Sequence, residues 1–155
     1  RKKLLLVRHG ESEHKAAESG DAGEDAPLYD APLTKKGASQ VAKLAGHKAL
    51  AGAELLVSSP LSRALQTLEG AFPTLGSRQF GKEVQVWPVA SEHLTTSCDI
   101  GTGGKQLAKR YPRLDLKKLP EVWWYTDAET SRQDANDSRT RFREHGLIEP
   151  RAHLE

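Results

Sequence analysis

Leu4-Leu5-Leu6-Val7-Arg8-His9-Gly10-Glu11 is the stretch on which the reading of this chain turns. Four apolar residues stand between Lys2-Lys3 and the pair Arg8-His9, with Gly10 behind them. A short unbroken apolar run with such bounds predicts a strand buried on both faces, as in a parallel sheet. Its carboxyl end carries a histidine beside an arginine. In open α/β sheets, ligands bind outside the carboxyl ends of the strands. Taken alone, His9 would equally suit a structural histidine.

The segments that follow alternate. Residues 15–32 are rich in Ala, Gly, Asp and Glu and predict a polar loop. Thr34 is placed to cap a helix over residues 35–51, with Val41, Leu44, Ala45 and Lys48 on one face. Residues 53–58 read as a second strand. Ser59-Pro60 then opens a helix that runs to about Phe72, with Ser59 as N-cap and Pro60 at the first helical position. Residues 85–89 read as a third strand that Pro88 should end or place at an edge. A Thr/Ser/Gly-rich loop over 95–105 precedes a short helix over 106–111, and a last helical stretch lies around 130–144. Strand, helix, strand, helix, strand implies a parallel sheet with helices on its faces.

The strand ends carry a consistent chemistry. The first ends at Arg8-His9, the second leads to Arg63 one turn into its helix, and the third leads to Glu92. Arginine forks match phosphate oxygens. A neutral imidazole is a competent nucleophile towards phosphorus, and a carboxylic acid can protonate a leaving oxygen. Gly10 would let a phosphate approach the backbone. Arg63 sits near a helix N-terminus, where amides and the macrodipole favour an anion. Glu54 and Glu69 read as solvated.

Arg8-His9-Gly10-Glu11-Ser12 resembles the signature of the histidine phosphatase superfamily, the phosphoglycerate-mutase-like proteins. Three further pieces fall in that family's order. Asp30-Ala31-Pro32-Leu33-Thr34-Lys35-Lys36-Gly37 resembles the segment opening its first helix. Ser58-Ser59-Pro60-Leu61-Ser62-Arg63-Ala64-Leu65-Gln66-Thr67 resembles its second arginine motif. Glu92 stands where the family places its acid. The resemblance implies a three-layer α/β sandwich, with a mostly parallel central sheet and helices on both faces. It also implies roles. His9 would take the phosphoryl group as a phosphohistidine, and Arg8 and Arg63 would hold its oxygens. Glu92 would serve as acid and then as base. Gly10, Glu11, Ser12 and His14 would shape the pocket. No metal and no cofactor is implied.

Two departures from that pattern carry expectations. The family has a second histidine at the end of a late strand. Here His145 and His153 are the late candidates, and neither follows an apolar run. The single domain over residues 1–155 is therefore expected to be incomplete at its carboxyl end. The start at Arg1 and the absence of methionine point to a trimmed sequence. After Glu92, the text His93-Leu94-Thr95-Thr96-Ser97-Cys98-Asp99-Ile100-Gly101 lacks the Arg-rich segment of metabolic mutases. The expected activity is therefore metal-independent hydrolysis of a small phosphorylated metabolite or a phosphoprotein. A phosphoglycerate-type mutase is the second expectation. The absent second histidine motivates a third, a phosphatase-like binding module without turnover.

Composition narrows the remaining classes. The formal net charge is +2 over 155 residues, and the basic residues are scattered, which argues against a nucleic-acid partner. Lys2-Lys3 and Lys117-Lys118 read as solvated. Mean hydropathy is −0.62, and no apolar run approaches a membrane span. One cysteine, Cys98, cannot form an internal disulfide. It reads as a loop or partly buried thiol and leans towards a reducing, cytoplasmic compartment. Trp123-Trp124-Tyr125 reads as core packing for one tryptophan, with the other open between core and the rim of a substrate pocket. Residues 15–32 and 94–130 are the expected specificity loops. Oligomeric state is left open.

Overall fold

A computed structural model describes residues 2–19, 28–126, 139, 140 and 142. The helices are α1 (Glu13–Glu18), α2 (Lys35–Ala42), α3 (Lys48–Ala51), α4 (Ser62–Ala71) and α5 (Gly104–Arg110). The strands are β1 (Leu55–Ser58) and β2 (Glu83–Val86). Short 3-10 turns lie at Pro88–Ala90 and Ser97–Asp99. The architecture is mixed α/β with a small parallel sheet.

The β1–α4–β2 unit carries the core. β1 and β2 pair in parallel, from Leu55 opposite Glu83 to Ser58 opposite Val86. Bonds from Glu83 N to Glu54 O and from Trp87 N to Ser58 O extend the ladder at either end. Leu56 and Ser58 of β1 are buried, while Leu55 and Val57 face outward. Leu61, Leu65 and Leu68 put the inner face of α4 into one cluster with Leu56, Ile100 and Leu107. Each such side chain contributes about 2 kcal/mol by leaving water. A smaller cluster of Val41, Leu50 and Ala71 joins α2 and α3 to the other side of α4.

Several expectations need correction. Residues 4–7 are not in a strand: Leu4 is 81 % and Leu6 87 % exposed, and no described strand pairs with them. A buried parallel strand needs a partner in its sheet and cover on both faces, and the described residues supply neither. Residues 13–18 are a helix rather than part of a loop, because Ser12 Oγ accepts from Lys15 N and caps α1. The helix expected over 35–51 is two helices, broken where the chain turns at Gly46 with φ +73°. Val41 is buried on α2 and Leu44 packs beside it, but Ala45 and Lys48 are exposed. Thr34 does cap α2, its Oγ1 accepting from Gly37 N.

α4 starts two residues later than expected, and Ser59 is not its cap. Ser59 Oγ instead accepts from Leu61 N and pairs with Ser91 Oγ. β2 begins at Glu83, and Pro88 does terminate it by opening a 3-10 turn. α5 begins at Gly104, inside the expected loop. Arg139, Thr140 and Phe142 are helical, while the rest of the stretch expected around 130–144 lies outside the described residues, as do His145 and His153. No described helix is long and apolar enough to cross a membrane.

Candidate active site

The turn that carries His9 is docked onto the start of α2. Glu11 N donates to Gln40 Oε1 at 2.9 Å, and Glu11 O accepts from Thr34 N at 2.9 Å. The Glu11 carboxylate accepts from Lys36 Nζ at 2.7 Å and Thr34 Oγ1 at 2.9 Å. Those bonds, the one from Lys36 first, hold its carboxyl below the usual carboxylate range. Two glycines allow the approach. A Cβ on Gly10 would lie 2.5 Å from Gly37 O, and one on Gly37 would lie 2.1 Å from Glu11 O. Gly10 thus has a packing reason to be glycine besides the expected one of leaving room for a phosphate. His14 is buried on α1, with Nδ1 3.7 Å from Glu18 Oε1.

The His9 ring is fixed by its own turn. Nδ1 lies 2.7 Å from Gly10 O. A carbonyl only accepts, so in the neutral ring Nδ1 carries the proton and Nε2 the lone pair.

Arg63, the second residue of α4, is 2 % exposed. Its Nη1 donates to Cys98 O at 2.7 Å. Its Nη2 donates to Glu92 Oε2 at 2.7 Å and to Asp99 Oδ1 at 3.1 Å. Burial works against its charge, but its hydrogen bond to Glu92 and the nearby negative charges outweigh burial and hold the guanidinium more firmly protonated than usual. Asp99 is the deeper partner. Its Oδ2 accepts from the amides and hydroxyls of Thr95 and Thr96. Burial pushes its carboxyl up, yet the Thr95 and Thr96 amides and the Arg63 charge more than offset this, so it stays ionised below the usual range. Glu92, by contrast, keeps an exposed side chain.

α4 is held from outside its own sequence. Asp30 is buried at φ +46° and accepts from Ser62 N and Ser62 Oγ, each at 2.7 Å. Asp30 N donates to Ile100 O, so the same residue ties α4 to the segment behind Asp99. A last connection reaches His9. Gly10 N donates to Thr67 Oγ1 at 3.3 Å, and Thr67 Oγ1 donates to Arg63 O at 2.7 Å.

The structure therefore brings Arg63 and Glu92 into direct contact and ties the His9-Gly10 turn to Arg63 through Thr67. Glu11 and Ser12 build the turn, and His14 packs beneath it. Arg8 is exposed and makes no hydrogen bond or ion pair with another described residue. Asp30 and Asp99 as holders of α4 and Arg63 were missed. Thr96-Ser97-Cys98-Asp99 does carry a signal, the pattern of a capping box, which forms here. Asp30 carries none, since its partner is 32 residues away. Glu69, expected to be solvated, pairs with Arg113 at 2.9 Å. Cys98 is buried and its thiol is pushed up by that burial, which suits a packed group rather than a nucleophile. Trp123 and Trp124 are both buried, with rings 5.3 Å apart edge to face. Trp123 Nε1 donates to Thr102 O, and Gly101 leaves space for the Trp123 ring. No group of three His, Cys, Asp or Glu side chains suited to a metal lies among the described residues.

Comparison with known proteins gives one match. The family model described as the histidine phosphatase superfamily (branch 1) matches residues 4–144. No curated protein and no solved structure matches the chain. The matched span takes in the His9 turn, the Arg63 helix and Glu92 alike, and the chain belongs to the histidine phosphatase superfamily.

Proposed function

We propose that the protein is a metal-independent phosphohydrolase that works through a phosphohistidine on His9. The observation that carries this is the hydrogen-bond chain from Gly10 through Thr67 to Arg63. It ties the turn that carries His9 to the backbone carbonyl of Arg63, whose guanidinium is buried, and this supports the two acting on one phosphoryl group. Nε2 attacks phosphorus and the bond to the ester oxygen breaks. Arg63 and Arg8 bind the phosphoryl oxygens, where preorganised positive charge acts on the transition state. The incoming phosphoryl group takes over the Arg63 fork from Glu92. Glu92 gives a proton to the leaving oxygen, then accepts one from the water that attacks the phosphohistidine and frees Nε2. The substrate is a small phosphorylated metabolite or a phosphoprotein.

The segment after Glu92 favours hydrolysis over a mutase. It folds back as the turn Ser97–Asp99 to clamp Arg63, and Leu94 is buried within it. Such a segment offers no lysine or arginine for a substrate carboxylate. We place β1–α4–β2 within a mostly parallel sheet covered by helices on both faces, in one domain. The lone buried thiol Cys98 supports a cytoplasmic setting.

The test is turnover of an aryl phosphate in the presence of chelator. Wild type should release phosphate, and His9→Ala should lose at least about 10³-fold in kcat. Equal rates in the two proteins, or full loss of wild-type activity with chelator, would sink the proposal. Transfer that requires a bisphosphoglycerate would instead favour the mutase. Binding of phosphorylated ligands without turnover would favour the binding module.

A further inference from the structure

A cleft of about 580 Å³ borders Glu92, within the range of small-molecule sites. Asp99 lines it too, so two of the three groups that Arg63 contacts face this space. His9 and Arg8 do not line it. If Glu92 protonates the leaving oxygen, the organic part of the ester departs on the side of this cleft. Its lining therefore selects the alcohol, and this inference rests on the function proposed above.

The lining is apolar where it is broad, and its polar groups nearest Arg63 are already engaged. Val89, Leu94, Val122, Trp123, Trp124 and the prolines Pro88 and Pro120 form its walls. Ser91 Oγ is paired with Ser59 Oγ at 2.9 Å. Asp99 is spent on Thr95, Thr96 and Arg63, and Glu92, once released by Arg63, on the leaving oxygen itself. A sugar or polyol hydroxyl entering here would lose water without regaining those groups, which is costly. The cleft also has no lysine or arginine, its one basic side chain is His93, and the Asp99 carboxylate faces it. A leaving group with a second phosphate or a carboxylate would be repelled. The edge-to-face tryptophan pair, with Tyr125 beside it, suits a flat aromatic ring. We infer that the cleft is the leaving-group site for phosphate monoesters of uncharged aromatic alcohols, namely aryl phosphates.

Intrinsic lability must be separated from recognition. The comparison is therefore 2-naphthyl phosphate against 4-carboxyphenyl phosphate, two phenolic esters of which one leaving group is charged. The naphthyl ester should show a KM lower by about tenfold. Val89 lines the cleft yet is 87 % exposed, so its substitution leaves the core untouched. Val89→Asp should raise the KM for the naphthyl ester about tenfold with kcat within twofold, and raise that for the carboxyphenyl ester at least as much, because the new carboxylate repels a like charge. A binding measurement runs beside turnover: quenching of tryptophan fluorescence by naphthylmethylphosphonate, weakened to the same extent by Val89→Asp. Equal or better use of the charged ester overturns the assignment, as does a Val89→Asp protein that binds the phosphonate like wild type. Retained turnover in His9→Ala with phosphonate binding that still depends on Val89 would fail the phosphohistidine mechanism and uphold the cleft. An inactive His9→Ala protein with no Val89 effect would do the reverse.

Discussion

The start of α4 and the segment before His9 are built in opposite ways. At α4 every charged group is paired: Arg63 with Glu92 and Asp99, Asp99 with Thr95 and Thr96, and Asp30 with Ser62. At residues 4–8 the apolar side chains are exposed and Arg8 has no partner among the described residues. Substitution in the first region should therefore act through stability and in the second through the reaction itself.

Arg63→Ala is the strongest way to break that contrast. It leaves the buried Asp99 charge without its cation and should cost about 3–5 kcal/mol in urea unfolding. A loss under 1 kcal/mol would mean that the cluster does not hold the fold. Asp99→Asn comes next, at about 2 kcal/mol near neutral pH, since hydrogen bonds to a charged group are lost or weakened. Its pH dependence is specific. Asp99 titrates lower folded than unfolded, so its contribution is complete above the ordinary carboxylate range and lost as pH falls through the lowered value. The urea midpoint of the wild type should fall on acidification more steeply than that of Asp99→Asn. Parallel curves would remove Asp99 from the account of acid sensitivity.

Asp30→Ala should cost about 1.5 kcal/mol, the usual size of a lost helix cap. Asp30→Asn should recover part of that, because asparagine tolerates the same backbone. Arg8→Ala should have the smallest effect on stability, within about 0.5 kcal/mol. If Arg8 binds the phosphoryl group, kcat/KM should nonetheless fall about 100-fold. A destabilised Arg8→Ala protein, or one of unchanged activity, would erase the difference between the two regions.

The sequence was most legible where its signals are local. β1, α4 and β2 came from apolar runs and turn residues, and Arg63 and Glu92 came from their positions after strands. Thr34 announced its helix because cap and amide lie three residues apart. What stayed hidden depends on partners remote in sequence. Asp30 reaches Ser62 over 32 residues, and Arg63 reaches Asp99 over 36. The apolar run at residues 4–7 misled for the same reason. Its composition records what would suit a sheet interior, not whether a neighbouring strand is there. Gly10 was recognised, but its contact with Gly37 is a fact of packing that no local pattern contains.

The Thr67 hydroxyl turns α4 into a ruler. Arg63 and Thr67 are four residues apart, and that rise of about 6 Å is the same in any α-helix. Because Gly10 N bonds to Thr67, the His9-Gly10 turn meets α4 at a fixed rise above the Arg63 backbone, while its bonds to α2 hold it from the other side. Loops that touch neither Arg63 nor Thr67 can then differ in length without sliding that turn along the helix. A spacing gauged by a helix does not depend on the length of the loops that surround it.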